Sequence, residues 1–260
     1  MCFSFFITEK TATISTNVDE IMISIKREYK KYEISGENAK ISGNKIIPGR
    51  CEKKVNISKS YTEMKKIGFY NPKLYSFYYN NPKINLTNNY DKLIVSGNLS
   101  EKNIYLFAEL SENNKDIVKQ NNFFNYNFIV NSEFYKNNDS LIRSLKEKNN
   151  SILIEMTNYK NYKYIETDYL KKYKKNIFCI NGENNKFLNI CSSNKSNTIA
   201  ISNIIEKSYL LNIKKNISNG KFIKILINES FVNDKEIVEK YINSKGLKIS
   251  SVDEYLTECN

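Results

Sequence analysis

The side chain that most metal and acid–base chemistry relies on is missing, because this 260-residue chain contains no histidine. A zinc site would then need closely spaced cysteines, and the five cysteines include no Cys-x-x-Cys pair. Cys179 and Cys191 are the two whose spacing suggests a bond. They flank Ile180-Asn181-Gly182-Glu183-Asn184-Asn185-Lys186-Phe187, which reads as two short strands joined by a Gly/Asn turn. Opposed positions of such a hairpin come within disulfide range, and a bridge would favour an extracytoplasmic location. The other reading is a pair of buried free thiols that behave as small apolar residues. No Gly-x-Gly-x-x-Gly and no Walker loop follows any predicted strand, so nucleotide-binding chemistry has no support.

Charge narrows the partners. The formal charge is +12, supplied almost entirely by lysines scattered among Asn and Ile, as an AT-rich, low-GC genome writes them. Arg27, Arg50 and Arg143 stand apart, whereas nucleic-acid sites favour clustered arginine with interleaved aromatics. No nucleic-acid partner is expected, while loose attraction to an anionic cell envelope fits better. No stretch is long enough to span a bilayer. The apolar start, Met1 to Ile7, stops at Thr8-Glu9-Lys10 and has two readings. Residues 1–10 are either a short strand or the remnant of a signal anchor lying upstream, which would place the protein near a membrane. Cytoplasmic residence is the alternative location, and oligomeric state is not legible.

The elements that would position chemistry follow from periodicity. Residues 1–90 read as a smaller α+β region. It has a helix from Asp19 to Lys31 behind an Asn17/Asp19 cap, a hairpin about Gly43-Asn44 and a helix over Ser58–Lys66. Tyr75, Phe77, Tyr78 and Tyr79 follow in an extended stretch, expected to pack against a neighbouring sheet. From residue 91 to 260 strands and helices alternate. Strands are predicted at Lys92–Ser96, Ile104–Glu109, Tyr126–Val130, Ser151–Met156, Asn176–Ile180, Thr198–Ile201, Phe222–Ile227 and Leu247–Ile249. One continuous helix is expected over Ser132–Lys148, others over Asp168–Lys175 and near Tyr209–Ile217. The last long helix is expected to be capped by Asn233, with Ile237, Val238, Tyr241 and Ile242 buried and Gly246 as its stop. Ser251 opens a terminal helix. Repeated strand–helix units imply a mostly parallel sheet covered by helices, and a barrel-like closure is the preferred arrangement.

As an ordered series, Asp91 to Glu258 resembles the polysaccharide deacetylase (NodB-homology) family. Ile104–Leu110 looks like the first barrel strand, and Phe128-Ile129-Val130-Asn131-Ser132-Glu133-Phe134 is similar to the family's Phe-Phe-Val-x-Gly strand and helix. The segment from Tyr241 to Ile249, followed by Val252–Leu256, looks like the family's closing helix–Gly–strand–helix signature. The preceding region, with Ile46-Ile47-Pro48-Gly49, resembles the N-terminal extension of envelope-associated members from low-GC bacteria. The resemblance implies an irregular, seven-stranded (β/α) barrel over 91–260.

The departures are as informative as the matches. The family holds a divalent metal with one Asp and two His, and uses an Asp base and a His acid to deacetylate glycans. Here Glu109 or Leu110 falls at the Asp pair, Glu155 and Tyr159 at the metal histidines, and Leu226 at the acid. The Arg-x-x-Pro-Tyr-Gly loop would fall near Phe178–Gly182, which has neither Arg nor Pro. The resemblance therefore implies a pseudoenzyme with no cofactor, kept for binding cell-wall or other glycan or for a structural role. Glu109 and Glu155 could hold Mg²⁺ or Ca²⁺, but solvated or lysine-paired strand-end acids are preferred. Two other functions stay open. One is a hydrolase using Glu109 and Glu155, or a thiol such as Cys179. The other is a protein–protein interaction module.

Overall fold

The structure, a computed structural model, describes residues 19–155, 159–180, 186–256 and 258–259. The apolar start at residues 1–10, Asn17, Met156 and the Gly182 turn lie outside them. In chain order the first elements are α1 (Glu20–Glu28), the hairpin β1 (Lys40–Ser42) and β2 (Lys45–Ile47), β3 (Glu52–Val55), α2 (Ile57–Ile67), β4 (Phe77–Asn80) and β5 (Leu93–Ile94). Next come β6 (Asn103–Glu109), α3 (Lys115–Gln120), β7 (Asn127–Val130), α4 (Ser132–Asn137), α5 (Asp139–Glu147) and β8 (Ser151–Glu155). The chain continues through α6 (Tyr159–Tyr173), β9 (Phe178–Ile180), α7 (Lys186–Ser193), β10 (Thr198–Ile199) and β11 (Ile204–Ile205). It ends with α8 (Tyr209–Asn216), β12 (Phe222–Ile225), α9 (Glu229–Ser244), β13 (Lys248–Ile249) and α10 (Val252–Tyr255).

Two compact units result, and they do not follow the expected border at residue 90. The smaller holds the described residues up to Glu37, then Arg50–Pro82 and Cys259; the larger holds Asn38–Gly49 and Lys83–Glu258. The difference arises because the β1–β2 hairpin is part of the main sheet: β2 runs parallel to β5, with Lys45 opposite Leu93.

In the smaller unit, Asp19 caps α1 by accepting from the Ile21 N–H at 2.9 Å, as the sequence suggests. Asn56 caps α2, and Gly68 closes it at φ +77°. Ile21 and Ile25 of α1, Met64 of α2, Val55 of β3 and Tyr75 form one buried cluster. Tyr75 is thus buried mainly against helices rather than against a sheet, and Tyr78 and Tyr79 on β4 are exposed.

In the larger unit the sheet has 11 strands in the order β1-β2-β5-β10-β9-β8-β7-β6-β12-β11, with β13 added beside β6. All pairings from β2 onward are parallel. Only residues 200–203 link β10 to β11. In a flat sheet six strand spacings, about 29 Å, would separate those two strands. Five Cα steps reach about 18 Å at most. The sheet must therefore curl, and the run β10 to β11, seven strands, forms the barrel wall. Among the described residues no pairing closes it, which makes the expected (β/α) barrel irregular.

Alternation along the strands builds two layers. Tyr105 and Phe107 of β6, Ile129, Leu153, Phe178, Ile180, Ile199 and Phe222 join one interior cluster with Ile46 and Ile94. Their neighbours Ile104, Leu106, Phe128, Ile152, Ile154, Cys179 and Ile223 face the helices. This double burial explains the near-continuous apolar strands. At one close approach, Gly97 donates to the Gly220 carbonyl at 2.8 Å. Gly220 has φ +72°, and a Cβ there would lie 2.5 Å from the Gly97 oxygen. Gly220→Ala is expected to cost about 1–3 kcal/mol, read as a lowered urea midpoint.

Several local expectations need correction. The segment around Cys191 is the helix α7, not the second strand of a hairpin, because Leu188 and Cys191 are buried at a spacing of three. The predicted single helix breaks at Asn138, whose side chain donates to the Phe134 carbonyl at 3.2 Å and competes with the helix. The cap of helix α9 lies five residues before the expected Asn233, at Asn228, which accepts from the Phe231 N–H at 2.9 Å. Ile237 consequently lies on its solvent side, 52% exposed, while Val238 and Ile242 are buried. The strand β11, Ile204–Ile205, is not among the predicted ones.

Glu258 carries a pH signature. Its carboxylate accepts from the N–H groups of Gly49 and Leu86, each at 2.8 Å. Burial pushes its carboxyl up from the ordinary value of 4.5, against the pull of those two donors. The folded state then binds the proton more tightly than the unfolded chain. Its stabilising share is complete below the unfolded value and lost as pH rises through the folded one. Glu258→Gln should therefore gain on the parent protein between about pH 4 and pH 7 in paired urea titrations. A stability difference constant across that range would contradict this.

Candidate functional site

In (β/α) barrels chemistry gathers at the C-terminal ends of the strands. Here Glu109 ends β6, Asn131 follows β7, Glu155 ends β8 and Leu226 follows β12. Glu109 continues the inward series Tyr105–Phe107, and Lys224 continues inward from Phe222 on the neighbouring β12. Their side chains meet as an ion pair, Lys224 Nζ to Glu109 Oε1. The Lys224 side chain is 25% exposed and that of Glu109 is 54% exposed, so the pair sits in the open barrel mouth. The preferred reading of Glu109 as a lysine-paired acid matches this arrangement.

The other singled-out positions lie in different surroundings. Leu110 is buried among the helix-facing residues, on the opposite side of the sheet from the mouth. Leu226 is exposed, and its N–H pairs with Ile205 of β11. Tyr159 is the first residue of α6. Glu155 is exposed on the far side of β7, and register sets its distance. Glu109 lies opposite Ile129, and Ile129 opposite Leu153, so Glu155 sits two residues further along. Two strand spacings and two rises put the Glu109 and Glu155 Cα atoms roughly 12 Å apart. At that Cα separation two inward-facing Glu side chains can bring their carboxyl groups within about 10 Å of each other. What counts against a two-carboxylate hydrolase is the ion pair that ties Glu109 to Lys224.

Cys179 offers no nucleophile either. It is wholly buried on the helix side of β9 and bonded to Cys191 of α7, with Cα atoms 6.5 Å apart. The expected disulfide is present, although it joins a strand to a helix. A second bridge links Cys51 to Cys259.

At the same end of the strands as the ion pair, the loop after β6 and the start of α4 enclose a hollow of about 300 Å³. Ser111, Asn113, Asn131, Glu112 and Glu133 supply its polar lining, and Phe134 adds an apolar one. Asn131 also caps α4, accepting from the Phe134 N–H at 2.8 Å. The Lys115 ammonium, and then the Asn138 amide, hold the Glu112 carboxyl below its usual range. Lys224 and this hollow were missed from sequence. The usable signal was the two-residue step from Phe222 to Lys224, which keeps the lysine on the inward face.

The deacetylase-type reaction needs a divalent metal, and the side chains at these positions do not fit one. An ammonium already faces the Glu109 carboxylate, Leu110 and Leu226 offer no donor atom, and the chain lacks histidine. Among the described residues no three Cys, Asp or Glu side chains converge as ligands.

This irregular parallel barrel is the fold of solved structures of CE4 family proteins. The likeness lies in solved structures of BA3943, called a CE4 family pseudoenzyme from Bacillus anthracis. The wild-type form is 16% identical, with a TM-score of 0.64 over 93% of this chain and 96% of that one. A mutant is 17% identical, also at 0.64, over 93% and 99%. Another mutant, described as having restored enzymatic activity, is 16% identical at 0.63 over 93% and 100%. At such identities the fold is what is shared. No family model matches this chain by sequence, and no curated protein does.

Proposed function

We propose that this chain is a divergent member of the polysaccharide deacetylase family that has lost deacetylation and uses its barrel mouth to bind glycan. The observation that carries the reading is the Lys224–Glu109 pair, which sets an internal cation against the carboxylate nearest the family's Asp position. The hollow at the same end of the strands presents hydroxyl, amide and carboxylate groups, the set that recognises sugar hydroxyls. Two disulfides support an oxidising, extracytoplasmic setting, where cell-envelope glycan is the available polymer.

The test pairs binding with turnover. The protein should be retained on insoluble peptidoglycan or chitin and release no acetate from either, with or without Zn²⁺, Mg²⁺ or Ca²⁺. Glu109→Gln and Lys224→Met together should weaken retention several-fold while shifting stability by no more than about 1 kcal/mol, since the pair is partly exposed. Acetate release that depends on Glu109 would overturn the pseudoenzyme reading, and absence of retention on any polymer would overturn glycan binding at the mouth.

A further inference from the structure

A second hollow, of about 300 Å³, opens at the other end of the barrel strands. Its walls are Phe124 and Asn125 from the loop before β7, Glu239 and Asn243 from α9, and Lys248 and Ile249 of β13. Its end of the barrel follows from register, because Lys248 and Ile249 pair with Asn103 and Ile104, the first residues of β6. Glu109 and the mouth lie at the last residue of that strand.

The chemistry of the walls is mixed in a particular way. Phe124 is 55% exposed although it lines a concavity, so its ring presents an apolar surface to whatever enters. Glu239 is held in place through one oxygen, which accepts from the Tyr126 hydroxyl at 2.9 Å and from Lys235 at 3.1 Å. A carboxylate has capacity for several more hydrogen bonds, and its second oxygen carries it. The Asn125 carbonyl oxygen accepts from Asn149 at 2.8 Å, which fixes the amide and leaves its N–H₂ group as a donor. The Asn243 amide and the exposed Lys248 ammonium add further donors. An exposed ring beside positioned acceptors and donors suits a pyranose, whose C–H face is apolar and whose hydroxyls each donate and accept. The volume lies at the lower end for small-molecule sites, the size of one sugar ring rather than a chain.

We infer that this hollow is a second carbohydrate subsite, taking a single neutral pyranose unit against Phe124. The carbohydrate class rests on the proposed function, but the site does not share residues with the mouth. A polymer strand engaged at both ends of the barrel would be held by avidity rather than by one tight pocket.

The experiment uses the full chain, isotope-labelled, titrated with N-acetylglucosamine and with chitotetraose while side-chain amide and aromatic resonances are followed. Single-unit sites of this kind bind at about millimolar strength, so the titration must reach several times that. The expected result is that the Phe124 ring and the Asn125 and Asn243 amides shift with the monosaccharide. Phe124→Ala should weaken that binding about tenfold, and Lys224→Met should leave it unchanged. Phe124 is exposed, so its loss should not unfold the protein, and Glu239→Gln provides a second variant of unchanged shape. Shifts at Asn113 and Asn131 alone would overturn this subsite and leave the mouth reading standing. Shifts at Phe124 alone would support it and count against the mouth. Saturating sugar without any shift would overturn both.

Discussion

Replacing Asp253 with alanine is expected to destabilise the protein by about 3–5 kcal/mol. Asp253 lies in α10 at 6% exposure, and its Oδ2 accepts from the Lys146 ammonium of α5 and from the Tyr169 hydroxyl of α6. Its own N–H donates to the Ser151 hydroxyl at 2.9 Å, and Lys175 donates to its carbonyl at 3.1 Å. Burial, more than the nearby carboxylate, keeps Tyr169 protonated far above the usual phenol range, so it acts here as a donor. Alanine would strand an ammonium whose side chain is 14% exposed, together with a buried hydroxyl. That uncompensated burial, rather than the loss of the pair itself, sets the size of the effect. Asp253→Leu combined with Lys146→Met should therefore recover most of it. Urea unfolding of the three variants measures the difference. A cost for Asp253→Ala below about 1 kcal/mol, as for surface pairs, would show the pair to be solvated.

Removing the Cys51–Cys259 bridge should have a comparable effect for a different reason. The two residues are 208 positions apart, with Cα atoms 4.9 Å apart. Cross-linking so long a loop restricts the unfolded chain by about 5 kcal/mol in the chain-entropy account, against about 3 for the 12-residue separation of Cys179 and Cys191. The double change Cys51→Ser with Cys259→Ser is expected to lower the melting temperature by roughly 10 °C under oxidising conditions. Adding a reductant to the parent protein should lower the melting temperature by more than that, by both contributions together, and to the double variant by only the smaller Cys179–Cys191 contribution. Equal melting temperatures of parent and double variant before reduction would show that the long loop carries no constraint.

The barrel was largely legible because its signals are local. Strand periodicity in Ile104–Glu109 and Ser151–Glu155, the Asp19 cap and the Gly246 stop each depend on neighbours in sequence. Where reading failed, a local signal had two meanings. Leu188 and Cys191 suit a strand or a helix until burial selects the period, and Asn233 looks like a cap until Asn228 is seen to take that role. The hairpin at Gly43 was recognised, but its membership in the main sheet depends on β5, nearly fifty residues away in the chain.

The missing histidine belongs to composition alone, and no fold could supply that side chain for a metal triad or a general acid. The partner of the remaining acid was a question for the tertiary structure. Lys224 is 115 residues from Glu109, and they meet only because β12 lies beside β6 with both side chains facing inward. Asp253 likewise finds Lys146 across 107 residues of chain. Residue types are a property of the chain, whereas the neutralisation of a charge depends on what folding brings within a few ångströms of it, since electrostatic pairing follows distance in space and takes no account of separation along the sequence.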